Sequence, residues 1–458
     1  MKSATTLEQA VNSTTIPPGS RIYCGGNAAT PQRLLAQLIE DREIRDVDLY
    51  SVLPLGDKDL LKRAFSEELC ERITYRIIFN SGFTRGAVNS GLAKYQLWHL
   101  SQTPRQIRRY VKPDVVLLQV SGPDHGGNYS LGTTVEAVLA AIHTAKENGG
   151  IVIAERNRRM PFVLGTTVQE HMIDHFVDVD YELPVSPVSP IDEQARRIAR
   201  IITHLYIEDG STLQFGIGGV SEAVADAVIE KGVRDLGIHT EVLASAMIKL
   251  IRRGIVTNKK NRRKGDDFSI TTICLADSER DYDWLHFNSS VQTRASNYTN
   301  SILVIAQQPN MVAINSAIGV DLHGNIWADS MQARQIYSGI GGQADFIRAA
   351  PYSEGGRAVI ALKSMTAKGV SKIVDMCPEG ITTTAIPADQ VILVTEYGAF
   401  EPFGLSVGEK AIGIAHLAAP EVRDGLLGKI CGNPAFHNPK SAFVSGKPKG
   451  LTLFEDAV

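Results

Sequence analysis

Short apolar runs rich in β-branched residues alternate with stretches of helical spacing along this chain, which restricts it to helices packed on a mainly parallel sheet. In the first half, residues 21–24, 46–52, 72–79, 114–120 and 151–155 read as strands. Residues 133–148 carry Val135, Val138, Leu139 and Ile142 at helical spacing and stop at Gly149 and Gly150, as a crossover helix would. The plan restarts in the second half, with strands expected at 212–215, 236–238, 269–275, 311–314, 358–362 and 391–394. An echo accompanies it: Gly25-Gly26 leads into a helix over 31–39, and Gly216 to Gly219 into one over 221–229. Between the halves, Pro184, Pro187 and Pro190 crowd a run that neither a helix interior nor a central strand tolerates. A usual domain holds about 100–200 residues. For 458 residues the expected architecture is therefore two similar open α/β domains with mainly parallel sheets, 1–190 and 191–458, the second opening on a helix over 191–206.

Charge and cysteine usage narrow the function. The formal net charge of -3, from 47 basic and 50 acidic residues, offers no field for a polyanion, so nucleic acid is not an expected partner. The N-terminal segment is mostly polar and holds Pro17 and Pro18, unlike a targeting leader. No apolar run reaches the roughly 18 residues of a membrane span. Five scattered cysteines without a CxxC pair suit a reducing compartment, and a cytoplasmic location is expected.

Gly216, Gly218 and Gly219 let the backbone turn sharply after a strand and aim amide N–H groups and a helix N-terminus at one point. A phosphate or a developing oxyanion suits that point, but a plain strand-to-helix turn explains the glycines equally well. A dinucleotide fold, and with it an NAD-dependent oxidoreductase, is a rival: Gly216-x-Gly218 follows a strand, and Glu241 lies near the distance at which an acid grips a ribose. Ser221 at the third glycine position weakens it.

Read together, Leu213-Gln214-Phe215-Gly216-Ile217-Gly218, Gly237-Ile238-His239-Thr240-Glu241 and Tyr337-Ser338-Gly339-Ile340-Gly341-Gly342-Gln343-Ala344-Asp345-Phe346 resemble the acetyl-CoA hydrolase/transferase family, in the branch of 4-hydroxybutyrate, butyrate and acetate CoA-transferases. Ser121-Gly122-Pro123-Asp124-His125-Gly126, Met311-Val312-Ala313-Ile314-Asn315 and Val394-Thr395-Glu396-Tyr397-Gly398 extend the match over roughly residues 20–425. The resemblance implies two α/β domains with the active site between them, a homodimer or higher homo-oligomer, and acyl-CoA and small carboxylic acids as substrates. It implies Glu241 as the nucleophile, Asn315 orienting it, Glu396 lining the same pocket, and Gly216, Ile217, Gly218, Gly219 and Val220 touching coenzyme A.

An ordinary glutamate, titrating near 4.3, is ionised at neutral pH and needs only placing to act as a nucleophile. Attack on an acyl-CoA thioester gives a mixed anhydride and CoA thiolate. The thiolate then attacks the glutamyl carbonyl, leaving a glutamyl-CoA thioester and free acid, and a second acid reverses the steps. Ping-pong kinetics result, with no metal and no tightly bound cofactor. Each tetrahedral intermediate carries an oxyanion, for which one preorganised donor is worth roughly 3 kcal/mol. The candidate donors are the amides of Ile217, Gly218, Gly341 and Gly342. With water as acceptor the same residues make an acyl-CoA hydrolase; loops that bind without exchange make a non-catalytic CoA-binding protein. Two departures bear on the acid. Val242-Leu243-Ala244-Ser245-Ala246 replaces the family's usual Ser-Asp-Gly turn, and Gln102 stands where glutamate is usual. Acetate, butyrate, 4-hydroxybutyrate and dicarboxylates such as itaconate or succinate all stay open.

Other features carry less. His171 and His175 have the spacing of zinc ligands on one helix face but lack the adjacent glutamate of a zinc protease, so a surface or packed pair is expected. The basic run Lys259-Lys260-Asn261-Arg262-Arg263-Lys264 could draw CoA phosphates, yet Gly265-Asp266-Asp267 mark a solvated loop. Ser121, before Asp124-His125, lies outside any nucleophile elbow, and a polar cleft rim suffices to explain the trio.

Overall fold

A computed structural model describes residues 2–259, 267–332, 335–389, 391–444 and 446–458. Among them, seven strands form a first sheet: β1 (Arg21–Cys24), β2 (Val47–Val52), β3 (Ile73–Phe79), β4 (Lys94–Tyr95), β5 (Val115–Val120), β6 (Ile151–Asn157) and β7 (His175–Val179). Their order is β4-β3-β2-β1-β5-β6-β7 and every pairing is parallel. Parallel strands need cover on both faces, and side chains alternate between faces along a strand. Ile22 and Leu117 accordingly join one apolar cluster with Leu34 and Leu38 of α1 (Gln32–Glu40). Tyr23, Val116 and Leu118 join another with Val138 and Ala141 of α2 (Val138–Glu147).

Helix α2 starts later than its spacing predicts. The Val135 amide donates to Thr272 O at 3.0 Å and Thr133 O accepts from Cys274 N at 2.7 Å, so the approach to the helix is tied to the second half instead of joining the helix. His171 lies in a 3-10 turn and His175 opens β7, so they share no helix face.

The second sheet comprises β8 (Thr212–Phe215), β9 (Gly237–Ile238), β14 (Met311–Ser316), β15 (Arg357–Ala361), β16 (Ile392–Thr395), β17 (Gly398–Phe400) and β18 (Leu451–Leu453). Its order is β9-β8-β14-β15-β16-β17-β18, parallel through β16 and antiparallel beyond. Residues 269–275, expected as one strand, are two: β11 (Ser269–Thr271) pairs with β13 (Val291–Thr293), and β12 (Ile273–Leu275) pairs with β10 (Val242–Ala244). Thr272 between them turns its N–H to Glu241 O at 3.2 Å instead of to a neighbouring ladder.

The proline run forms no helix or strand, as its composition requires. Asp192 then caps α3 (Glu193–Tyr206), its carboxylate accepting from Ala195 N at 2.9 Å. Helix α3 packs on α4 (Gly219–Lys231), which follows β8 through the glycine turn. One apolar cluster contains Tyr23, Val116 and Leu118 of the first sheet together with Leu213, Phe215 and Val359 of the second, so the sheets share a buried body. No helix among the described residues is long and apolar enough to cross a membrane. Residues 260–264 of the basic run lie outside the described residues.

Candidate active site

In open α/β sheets, ligands collect at the carboxyl ends of the strands. The expected site residues of the second half obey that rule. Glu241 comes just after β9, Gly216 to Gly219 after β8, Asn315 at the end of β14 and Glu396 directly after β16.

The segment that presents Glu241 is fastened by its main chain. His239 N donates to Leu213 O at 3.2 Å and Thr240 N to Ile270 O at 2.9 Å. The Glu241 carbonyl accepts from Thr272 N at 3.2 Å, Ile273 N at 3.0 Å and Thr271 Oγ1 at 3.0 Å. The side chain keeps some accessible surface although protein crowds it on all sides. Its Oε2 accepts a 2.6 Å hydrogen bond from Asn300 Nδ2. Burial pushes the Glu241 carboxyl up to about 7; Asp345 adds to the rise, while the Asn300 hydrogen bond and the Gly342 amide oppose it. The expectation of an ordinary carboxyl is therefore corrected: desolvation leaves a large protonated fraction at neutral pH.

Gly341 and Gly342 are brought onto this carboxylate. A Cβ at Gly342 would lie 2.0 Å from Glu241 Oε2 and 1.9 Å from Asn300 Nδ2, so the loop backbone closes directly over that hydrogen bond. Gly341 needs glycine for another reason, its φ of +57°. The loop is held from the first half. Leu100 N donates to Gly341 O at 2.9 Å, Arg85 Nε to Tyr337 O at 2.8 Å, and Phe79 packs beneath Gly339. Residues from both halves thus converge at Glu241.

The remaining expected residues are more dispersed. Asn315 and Gln214 exchange side-chain hydrogen bonds of 3.0 and 3.3 Å, and the amide on Glu241 is that of Asn300. Glu396 is buried, accepting from Ser364 N at 2.9 Å, Ser364 Oγ at 2.7 Å and Gln194 Nε2 at 2.9 Å. Four strand spacings of about 4.8 Å put it roughly 19 Å across the sheet from the end of β9. Of the 216–220 loop, Ile217 and Gly218 face a small hollow shared with Ser186, Glu222, Ser245 and Asp277, and Gly219 packs against Pro190 O. The two acids there make poor surroundings for a phosphate and suit a neutral stretch of ligand better.

Of the two departures, Gln102 is exposed, and residues 242–246 form β10 and the start of α5 (Ser245–Arg252), where Ser245 Oγ donates to Asp281 at 2.6 Å. A cavity of about 670 Å³ opens elsewhere, lined by Arg33, Asp57, Arg63, Tyr181 and their neighbours; it includes none of the expected residues and lacks the convergence of donors seen at Glu241. Sequence reasoning missed Asn300, Phe79 and Ser101. Asn300 sits in no motif and joins Glu241 only through the fold.

The N-terminal domain of the acetyl-CoA hydrolase/transferase family matches residues 5–189 and its C-terminal domain residues 278–430. The chain is 32% identical to the 4-hydroxybutyrate coenzyme A transferase of Clostridium kluyveri, over 93% of this chain and 96% of that one. Among solved structures, RipA from Yersinia pestis superposes with a TM-score of 0.83 at 32% identity, covering 92% of this chain and 96% of that one. The 4-hydroxybutyrate CoA-transferase of Porphyromonas gingivalis superposes with a TM-score of 0.77 at 28% identity, covering 93% and 97%.

Proposed function

The chain belongs to the acetyl-CoA hydrolase/transferase family, and from that membership we propose that it moves coenzyme A from an acyl-CoA to a small carboxylic acid, with Glu241 as the covalent nucleophile. The observation that carries the reading is the carboxyl of Glu241, enclosed by both halves, held at one oxygen by Asn300 and roofed by Gly341 and Gly342. The Glu241 carboxylate attacks the thioester carbonyl and CoA leaves as thiolate. The thiolate attacks the glutamyl carbonyl of the anhydride, the first acid leaves as carboxylate, and a second carboxylate reverses both steps. Atoms and charge balance at each stage without a metal or a redox group. The Gly342 amide, already beside the carboxyl, is the leading oxyanion donor. Ile217 and Gly218 are assigned to the ligand's neutral arm, and Glu396 and Asn315, farther along the same sheet edge, to more distant parts of an extended ligand. Enclosure of Glu241 disfavours water as acceptor, so transfer exceeds hydrolysis. A homo-oligomer and acids drawn from short monocarboxylates, hydroxy acids and dicarboxylates complete the proposal.

Incubation with acyl-CoA followed by borohydride is expected to reduce the glutamyl-CoA thioester, giving a Glu241 peptide of altered mass. An active preparation in which that peptide stays unmodified rejects the covalent role. Free acid released equally with and without acetate would make the protein a hydrolase.

The carboxyl must be ionised to attack, and its pKa is raised, so activity is lost as pH falls through the raised value. We expect kcat/KM with acyl-CoA to show an acid limb centred near 7, against the 4.5 of an ordinary glutamate. A rate profile flat down to pH 5 would contradict this placement.

A further inference from the structure

Gly339, Gly341 and Gly342 crowd the loop over Glu241, so its closed position is not set by its own backbone preferences. The two-stranded sheet that leads into it, Ser330–Gln332 with Gln335–Ile336, is too small to place it either. The partners that place it come from the first half, and they take hold of its main chain.

Arg85 and Asn89 lie four residues apart on one face of the short helix Arg85–Ser90. Asn89 Nδ2 donates to Ile336 O at 3.1 Å and its Oδ1 accepts from Ile336 N at 2.9 Å, the two bonds a neighbouring strand would make. A carbonyl on one side and an N–H on the other fix which way that amide points. Arg85 Nε donates to Tyr337 O at 2.8 Å, and its guanidinium sits 3.8 Å from the centre of the Tyr337 ring. Asn80, buried just after β3, donates Nδ2 to Ser338 O at 3.4 Å while the Thr84 hydroxyl holds its Oδ1 at 3.0 Å. With Leu100 N on Gly341 O, the carbonyls of 336, 337, 338 and 341 are all held by the first half. Just beyond the loop, Ser101 binds Asp345 through its amide at 3.2 Å and its hydroxyl at 2.7 Å. Among the described residues, every side-chain hydrogen bond of Arg85 and Asn89 goes to this loop, and none supports their own half.

The outcome of the exchange depends on what reaches the glutamyl-CoA thioester. An acid conserves it and water destroys it: the water oxygen bonds to the glutamyl carbon, the carbon–sulfur bond breaks, one proton passes to the CoA sulfur and one to solvent, and the Glu241 carboxylate returns. We propose that Arg85 and Asn89, with Asn80, form a clasp of positioning residues that selects acid over water by keeping the glycine loop shut on Glu241. They touch no reacting atom. A Cβ at Gly342 would lie against Glu241 Oε2, so the loop rests on the carboxyl itself and any lift opens that carbon to solvent. The selection rests on Glu241 being the residue that carries CoA.

The test uses the full-length Arg85→Ala/Asn89→Ala double variant and two readouts. Hydrogen–deuterium exchange is expected to quicken about tenfold or more across 336–342 and to stay unchanged across 237–243. With butyryl-CoA as donor and acetate as acceptor, the ratio of free CoA thiol to acetyl-CoA is expected to rise about tenfold over wild type. Arg85→Lys, which keeps a donor without the planar guanidinium, should fall between. General damage to the fold would lower both products together and leave the ratio where it was. An unchanged ratio, or unchanged exchange across 336–342, overturns the proposal. If circular dichroism shows the double variant unfolded, Asn89→Asp decides alone by the same two readouts, since it keeps the size of the side chain and sets an acceptor against Ile336 O. Exchange needs no substrate. A wild-type protein that makes neither acetyl-CoA nor free thiol therefore counts against the proposed function, while exchange across 336–342 still decides whether the clasp holds the loop.

Discussion

Glu241→Gln is expected to lose CoA transfer by about 10⁴-fold or more while folding normally. No neighbouring carboxylate can take over. Asp345, whose charge acts on Glu241, is bound at both oxygens by Ser101. The variant should also be the more stable protein at neutral pH. The folded-state pKa of Glu241, about 7, lies above the unfolded 4.5, so the folded protein binds the extra proton and wild-type stability falls as pH rises across that window. The amide titrates nowhere in that range. The stability gap between variant and wild type should therefore widen from pH 4.5 to 7, by on the order of 1–3 kcal/mol. Denaturant melts at several pH values measure it, and a gap independent of pH would show that the carboxyl is not desolvated as described.

Gly342→Ala carries the second large effect. Its φ of -107° admits any residue, so the demand for glycine here is purely spatial. A methyl group 1.9 Å from Asn300 Nδ2 and 2.0 Å from Glu241 Oε2 has nowhere to go unless the loop lifts or the Glu241–Asn300 bond breaks. Either movement takes the amide away from the oxyanion, for a loss of roughly 10²–10³ in kcat, with overpacking costing about 1–3 kcal/mol in stability. Gly428→Ala is the control: it lies in the helix Pro420–Ile430 with nothing within 4 Å of the added carbon, and should leave turnover unchanged. Equal activity in the two variants would mean that the loop does not serve the reaction.

Local signals in the sequence were reliable where nothing distant competed with them. Strands 21–24 and 212–215 stand where they are expected, and the glycine turn after each leads into a helix. The readings failed where another part of the chain claimed the backbone. Residues 133–137 have helical spacing but are kept out of the helix by hydrogen bonds to Thr272 and Cys274, and 269–275 breaks at Thr272, whose N–H goes to Glu241. The site divides the same way. Glu241, Gly341 and Gly342 stand in recognisable strings and meet in space. Asn300 is 59 residues from Glu241, and Ser101 is 244 from Asp345. Pairs that distant leave no periodicity or spacing to read, since only the completed fold makes them neighbours. Asn315 and Glu396 were found by the same strings yet bond to Gln214, Ser364 and Gln194, because residues on one sheet edge can be several strands apart.

The three donors on the Glu241 carbonyl fix a pivot. In the proposed cycle the carboxyl carries an acyl group, then coenzyme A, and releases each in turn, so cargo of very different bulk hangs from one residue. With the main chain pinned, only the side-chain torsions are free to swing, and these move between a few staggered wells. The reach of the exchange is then a short arc of discrete stops, within which departing and arriving groups have to pass each other. Thr271, whose hydroxyl is one of the three donors, thereby limits the travel of the intermediate without touching any substrate atom.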